Sequence, residues 1–271
     1  MTKGMKNNAH AIDALFALHD QFGSYPDGVI RIPRRIPGTA FFPGGYGLWN
    51  TQPNELLPPM PVGGVKVVGH NFDSETGFHR SFHHAGENLK SATWRNLLTF
   101  LKQVGIPPER CFFTNAYVGL RAGDRAMGAF PGARDPDFVC WCRNFLLEQL
   151  RLIQPRLILT LGVHVPGFLA SLSPELKSAW SGVTRLRVLD ERGVALVYPS
   201  TFSGVLRPAA VVALTHPAYR RLNVKSRRYG NLQGDAAEQA LVRDALTRVG
   251  NGETKERLGS ISVSLSEQYP E

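Results

Sequence analysis

The sequence predicts an α/β fold: a single three-layer α/β/α domain in which helices flank a central, mostly parallel, four-stranded sheet. Two observations lead there. Short apolar runs bounded by Gly, Asn or His alternate with longer segments whose apolar residues recur every three or four positions, the pattern of strands joined by amphipathic helices. In addition, 43% of the 271 residues are hydrophobic, enough to fill one sizeable core.

Residues 9–22 place apolar side chains at helical spacing and stop before Gly23, which predicts a first helix. Residues 24–64 are rich in Pro and Gly but carry Phe41, Phe42, Tyr46 and Trp49, so they are expected to form an ordered loop region covering one side of the domain. Val65–Val68, between Gly63-Gly64 and Gly69, reads as the first buried strand. Trp94, Leu97, Leu98 and Leu101 mark a helix over 93–104 that stops at Gly105. Residues 111–117 read as a strand, 137–154 as a helix, 157–161 as a strand and 163–171 as a short helix. Residues 185–189 and 194–198 read as a hairpin or a pair of edge strands. A last core strand over 211–215 and a closing helix over 236–249 complete the order. Three units follow: a helix and covering segment over 1–64, the α/β domain over 65–249, and a polar, Ser-rich tail over 250–271 that is expected to be flexible.

Composition narrows the function. The formal net charge of +9, from 31 Lys and Arg against 22 Asp and Glu, favours a polyanionic partner, most simply nucleic acid. Three cysteines, Cys111, Cys140 and Cys142, do not make a disulfide framework and suit a reducing compartment. The first residues lack the apolar run of a signal peptide, and no stretch approaches the length of a membrane span. A monomer in the cytoplasm, associated with the nucleoid in a bacterium, is expected. Neither G-x-G-x-x-G nor G-x-x-x-x-G-K-[ST] follows any strand, which argues against the common phosphate-loop enzymes. His79, His83 and His84 lack a Cys or acidic partner at metal-site spacing, so neither metal nor other cofactor is expected.

In open parallel sheets the ligand lies beyond the carboxyl ends of the strands. The four core strands run into Val67-Val68-Gly69-His70-Asn71, Phe113-Thr114-Asn115, Leu159-Thr160-Leu161-Gly162 and Leu214-Thr215-His216-Pro217. In this order the four motifs resemble the uracil-DNA glycosylase superfamily over residues 62–248. The departures are Phe72 where the family usually has Pro, Ala218 where it has Ser, and three cysteines where its iron–sulfur branch has four, so no cluster is expected.

The resemblance implies a base-excision-repair enzyme: a monofunctional hydrolase that flips uracil or a related damaged base out of single- or double-stranded DNA and cuts its glycosidic bond. It implies that Asn71 or Asp73 positions the water, and that His216 donates a hydrogen bond to the departing base. Gly69, His70, Phe72 and Asn115 would line the base pocket, with Phe82 or Phe78 stacked on the base. Asn115 can offer both donor and acceptor to a pyrimidine edge. Beyond Pro217 the segment Ala218–Gly230 carries Arg220, Arg221, Lys225, Arg227 and Arg228 and no acidic residue, a composition suited to phosphates. Tyr219 or Leu222 would fill the gap left by a flipped base. A nucleic-acid-binding protein of the same fold with little or no catalysis is the alternative.

Overall fold

The computed structural model describes residues 3–33, 35–36, 38–49, 56–83 and 89–266, without the side chains of 3–10, 82–83 and 251–266. In chain order the elements are α1 (Lys3–Asp20), β1 (Val29–Ile30), β2 (Val65–Asn71), α2 (Glu75–His83), α3 (Ala92–Gln103), β3 (Cys111–Tyr117), β4 (Leu120–Arg121), α4 (Pro136–Ile153), β5 (Leu157–Leu161), α5 (His164–Leu169), α6 (Pro174–Trp180), α7 (Leu186–Glu191), β6 (Leu196–Ser200), β7 (Ala209–Leu214), α8 (Arg220–Asn223), β8 (Arg228–Tyr229), β9 (Leu232–Gln233) and α9 (Asp235–Ser266).

The central sheet has the order β3-β2-β5-β7-β6. It therefore has five strands, not the four expected. Four are parallel, and β6 is added at the edge, antiparallel to β7. Of the two segments read as a hairpin, only the second is a strand. Residues 186–191 form α7, where Leu189 is buried and Arg187 pairs with Glu191 one turn on, at 2.6 Å, so the local pattern has a helical period. The closing helix α9 also runs past Val249, to Ser266, and residues 267–271 lie outside the described residues.

Strands β2, β3, β5 and β7 are buried on both faces, which explains their near-continuous apolar sequence. The exception is Lys66 in β2. Its Nζ donates to Gln149 Oε1 at 2.9 Å and lies 4.6 Å from the Phe112 ring centre, and burial drives its pKa well below the ordinary lysine value. On one side Trp94, Leu97 and Leu101 of α3 reach the core; on the other, Phe138, Phe145 and Leu150 of α4 do so. Both helices begin on a capping side chain: Ser91 Oγ accepts from Trp94 N–H, and Asp135 Oδ1 accepts from Phe138 N–H.

The free edge of β3 is covered by the aromatic segment. Phe42 N–H donates to Phe113 O at 3.0 Å, and Phe113 N–H donates to Gly47 O at 2.8 Å. Backbone groups that would otherwise template strand addition are thereby paired, and Phe41 and Phe42 are fixed beside the sheet.

Candidate active site at the carboxyl edge of the sheet

The parallel register places Gly69 opposite Asn115, and Asn71 opposite Tyr117. A Cβ on Gly69 would sit 2.2 Å from Asn115 Oδ1, so only glycine admits that carboxamide. Asn115 is 6% exposed, yet its amide makes no side-chain hydrogen bond among the described residues. A nearly buried group with both donor and acceptor unused is suited to a ligand edge with the complementary pair.

His216 follows β7 and opens the 3-10 turn Pro217–Tyr219. Its Nδ1 accepts the Ala218 N–H at 3.2 Å. Burial lowers its pKa, favouring the neutral ring, and an Nδ1 that accepts leaves the proton on Nε2. The ring therefore presents a donor of fixed tautomer. Two contacts hold the turn: Asn96 Nδ2 of α3 donates to Pro217 O at 2.8 Å, and Gly162, with φ +92°, approaches so closely that a Cβ there would be 3.2 Å from His216 Cβ.

Asn71 ends β2 half-buried. Its Nδ2 donates to Phe72 O, and its Oδ1 accepts from Arg121 Nη2 at 3.4 Å. His70, one residue before, has its ring centre 4.7 Å from that of His164, tilted by 30°, and meets Tyr117 and Phe130 edge-on. Burial, together with the charges of His164, Arg121 and His216, pulls its pKa down to about 4. Contacts tie these elements together: the His70 ring meets His164 of α5, Asn71 of β2 meets Arg121 of β4, and Gly162 after β5 approaches His216.

Asp73 is turned elsewhere. Its Oδ1 accepts the Ser74 N–H at 2.7 Å, and its carboxylate lies where a Cβ on Gly77 would be, 2.2 Å from Oδ2. The side chain is exposed and serves the first turn of α2.

The aromatic residues also sort out. Phe72 is 9% and Phe78 2% exposed; both pack with Ile32, Ile36 and Leu120 in a second apolar cluster. Both rings are occupied there, that of Phe72 over Gly44 and that of Phe78 within the cluster, a placement other than the base pocket expected of them. Phe82 lies in α2, but its side chain is outside the described residues, as are those of His83 and His84. Phe41, which the sequence reading did not single out, is half-buried with a ring carbon 3.5 Å from the position of a Cβ on Gly69. Its only signal in the sequence was membership of an aromatic-rich loop.

The basic segment divides by side. Tyr219, Arg221, Leu222, Lys225 and Arg228 are exposed; Arg228 Nη1 also donates to Gln233 Oε1 at 3.0 Å. Arg220 and Arg227 are not available to phosphates, contrary to expectation. Arg220 Nε binds Asp235 Oδ1 at 2.8 Å and its Nη1 binds Glu238 Oε2, while the guanidinium lies over Phe100. Arg227 forms a two-point pair with Asp190, both at 2.8 Å, and reaches Glu238 Oε1 at 2.6 Å. Their acidic partners come from α7 and α9, outside the stretch that looked free of carboxylates. Pro217 is buried.

A shallow cavity of about 260 Å³ is lined by Phe16, His19, Asp20, Ile32, Arg35 and Pro43 and contains none of these groups. We assign the chemistry to the sheet edge instead, because the converging histidines and unpaired carboxamide are there. Among the described residues no three His, Cys, Asp or Glu side chains are grouped so as to hold a metal ion, and no helix is long and apolar enough to cross a membrane.

A family model described as the uracil DNA glycosylase superfamily matches residues 66–242. No curated protein matches the chain. The matched span is more than half of the sequence and includes all four strand-end motifs, so the chain belongs to the uracil-DNA glycosylase superfamily. Membership suggests a DNA-glycosylase type of activity, the hydrolysis of N-glycosyl bonds.

Proposed function

We propose that this member of the superfamily removes uracil or a related damaged base from DNA as a monofunctional glycosylase. The observation that carries the reading is His216, with Nδ1 committed to Ala218 N–H and Nε2 left as donor, on the same sheet edge as the unpaired Asn115 carboxamide. As the C1′–N bond breaks, its electron pair passes to the base. Nε2–H would stabilise the charge developing on a base carbonyl, and Asn115 would read the base edge. Phe41, beside Gly69, would supply the stacking face. Asn71, rather than the turned-away Asp73, would hold the water that bonds to C1′. An amide accepts no proton, so the water proton passes to the departing base or to solvent, and turnover should be slow. Tyr219, Arg221, Leu222, Lys225 and Arg228 form the exposed face that would meet DNA.

A second reading, a nucleic-acid-binding protein with little catalysis, is favoured by one feature: the carboxylate nearest Asn71 in sequence, Asp73, is spent on the start of α2. A strand-cleavage assay separates the two. A labelled oligonucleotide with one uracil, single-stranded or opposite guanine or adenine, is incubated with protein and treated with alkali to cut abasic sites. Uracil-dependent cleavage is expected, slowed by about 10²-fold or more in His216→Ala, the usual effect of losing a preorganised donor. Equal rates would remove His216 from the mechanism. No cleavage of any substrate, with tight salt-sensitive DNA binding, would establish the second reading.

A further inference from the structure

Arg121 is 5% exposed at the end of β4 and is joined to no carboxylate among the described residues. Its guanidinium instead donates to four oxygens. Nη2 reaches Gly128 O at 2.7 Å and Asn71 Oδ1 at 3.4 Å; Nη1 reaches Ala129 O at 2.9 Å and Met127 O at 3.4 Å. Nε is buried without a partner, and the ring of Phe130 lies 5.4 Å away. Residues 122–129, which supply three of the oxygens, are all exposed. Burying a cation is costly unless its donors are met, and here the acceptors are one loop's carbonyls and one side chain, Asn71.

We infer that Arg121 is a positioning residue for Asn71, fixing which end of its amide faces the reacting water. The inference rests on the proposed reading for its catalytic consequence, but not for its geometry. An amide has two nearly isosteric ends, and only its partners tell them apart. Arg121 is a donor without an acceptor, and Phe72 O is an acceptor without a donor. Exchanging the ends would put Nδ2 against the guanidinium and Oδ1 against a carbonyl, two repulsive contacts. In the native orientation Oδ1 faces Arg121 and also meets the His70 ring, so the carbonyl end is the end held toward the site, and it is this oxygen that would accept a water hydrogen and turn the water oxygen toward the sugar. The rigid planar fork also ties this orientation to the 127–129 backbone, which a compact ammonium cannot do.

The test uses a carboxyl introduced by Asn71→Asp and followed by ¹³C NMR titration, which needs no turnover. The charged or titratable groups around position 71 are Arg121 from β4, His70 beside it on β2, neutral above about 4, and Tyr117 opposite it on β3, while Asp73, two residues on, is turned toward α2. With Arg121 present the new carboxyl should titrate below the usual ~3.9. Adding Arg121→Gln should raise its midpoint by about one pH unit or more, as loss of an adjacent opposite charge does. An unchanged midpoint overturns the inference. Kinetics supply the second arm. Arg121→Lys should lower kcat by about tenfold or more with KM nearly constant, and should slow Asn71→Ala no further. Additive losses would overturn the inference, and this arm needs only the conservative variant if Arg121→Gln fails to fold. Absence of base release by the wild-type chain would instead sink the glycosylase reading, while the titration still decides the role of Arg121.

Discussion

His70 should make the fold acid-labile in a calculable way. Its ring is half-buried between His164, Tyr117 and Phe130, and protonation would bring a charge into that space beside Arg121, His164 and His216. In the unfolded chain the imidazole titrates at 6.5; in the fold burial, aided by the Arg121 cation, brings it to about 4. As pH falls through 6.5 the unfolded state therefore takes up the proton first. Stability is flat above neutrality, is lost progressively between 6.5 and about 4, and is flat again below. At about 1.4 kcal/mol per pH unit the whole window costs at most about 3.5 kcal/mol. The assay is urea unfolding at several pH values across this window, for wild type and His70→Gln. His19 and His216, whose pKa values burial also lowers, act in both proteins, so the difference between the two curves isolates His70. The wild type should lose up to about 3.5 kcal/mol more than the variant on acidification. Parallel curves would show that protonated His70 is accommodated without cost, and the account of its surroundings would be wrong.

Two further outcomes follow from the basic segment. Replacing exposed Arg221 and Lys225 with Gln should reduce the slope of log affinity against log salt by about 1.8, if each meets one phosphate of duplex DNA; an unaltered slope in a filter-binding titration would place the DNA elsewhere. Glu238→Gln should destabilise the fold by about 3–5 kcal/mol in urea unfolding, because it leaves the buried guanidiniums of Arg220 and Arg227 short of their shared carboxylate. A loss under about 1 kcal/mol would mean that Asp190 and Asp235 suffice.

The succession of strands and helices along the chain and the polar ends of the strands were legible because both are local properties of sequence. Cys111–Tyr117 is a short apolar run of strand length between turn signals, and Gly69-His70-Asn71 follows another; the structure carries β2 on through Asn71, past the Val65–Val68 expected, because its pairing with β3 continues. The segment 186–191 was misread because Leu186, Val188 and Leu189 fit either period over so short a stretch. What settles it, burial of Leu189 and the Arg187–Glu191 pair, belongs to the folded chain. Phe72 looked like a pocket residue for being next to Asn71. Its ring fills the space over Gly44, whose Cβ would lie 2.0 Å from it, a contact between residues that no local pattern connects.

The basic run after Pro217 shows why charge counted along a chain misleads at a site. Five cations without an intervening carboxylate read as one phosphate-binding surface, but the partners of Arg220 and Arg227 are Asp190, Asp235 and Glu238, brought from two helices. That inward pair has its own consequence for the site. Glu238, fully buried, accepts from both arginines and also from the N–H and Oγ1 of Thr215, each at 2.7 Å. Thr215 precedes His216. The two arginines withdrawn from the surface thus hold the carboxylate that fixes the end of β7, and with it the backbone that carries His216. The run faces two ways: Arg221 and Lys225 are exposed and, on the proposed reading, would offer charge to DNA, whereas Arg220 and Arg227 turn inward and brace the strand end before His216.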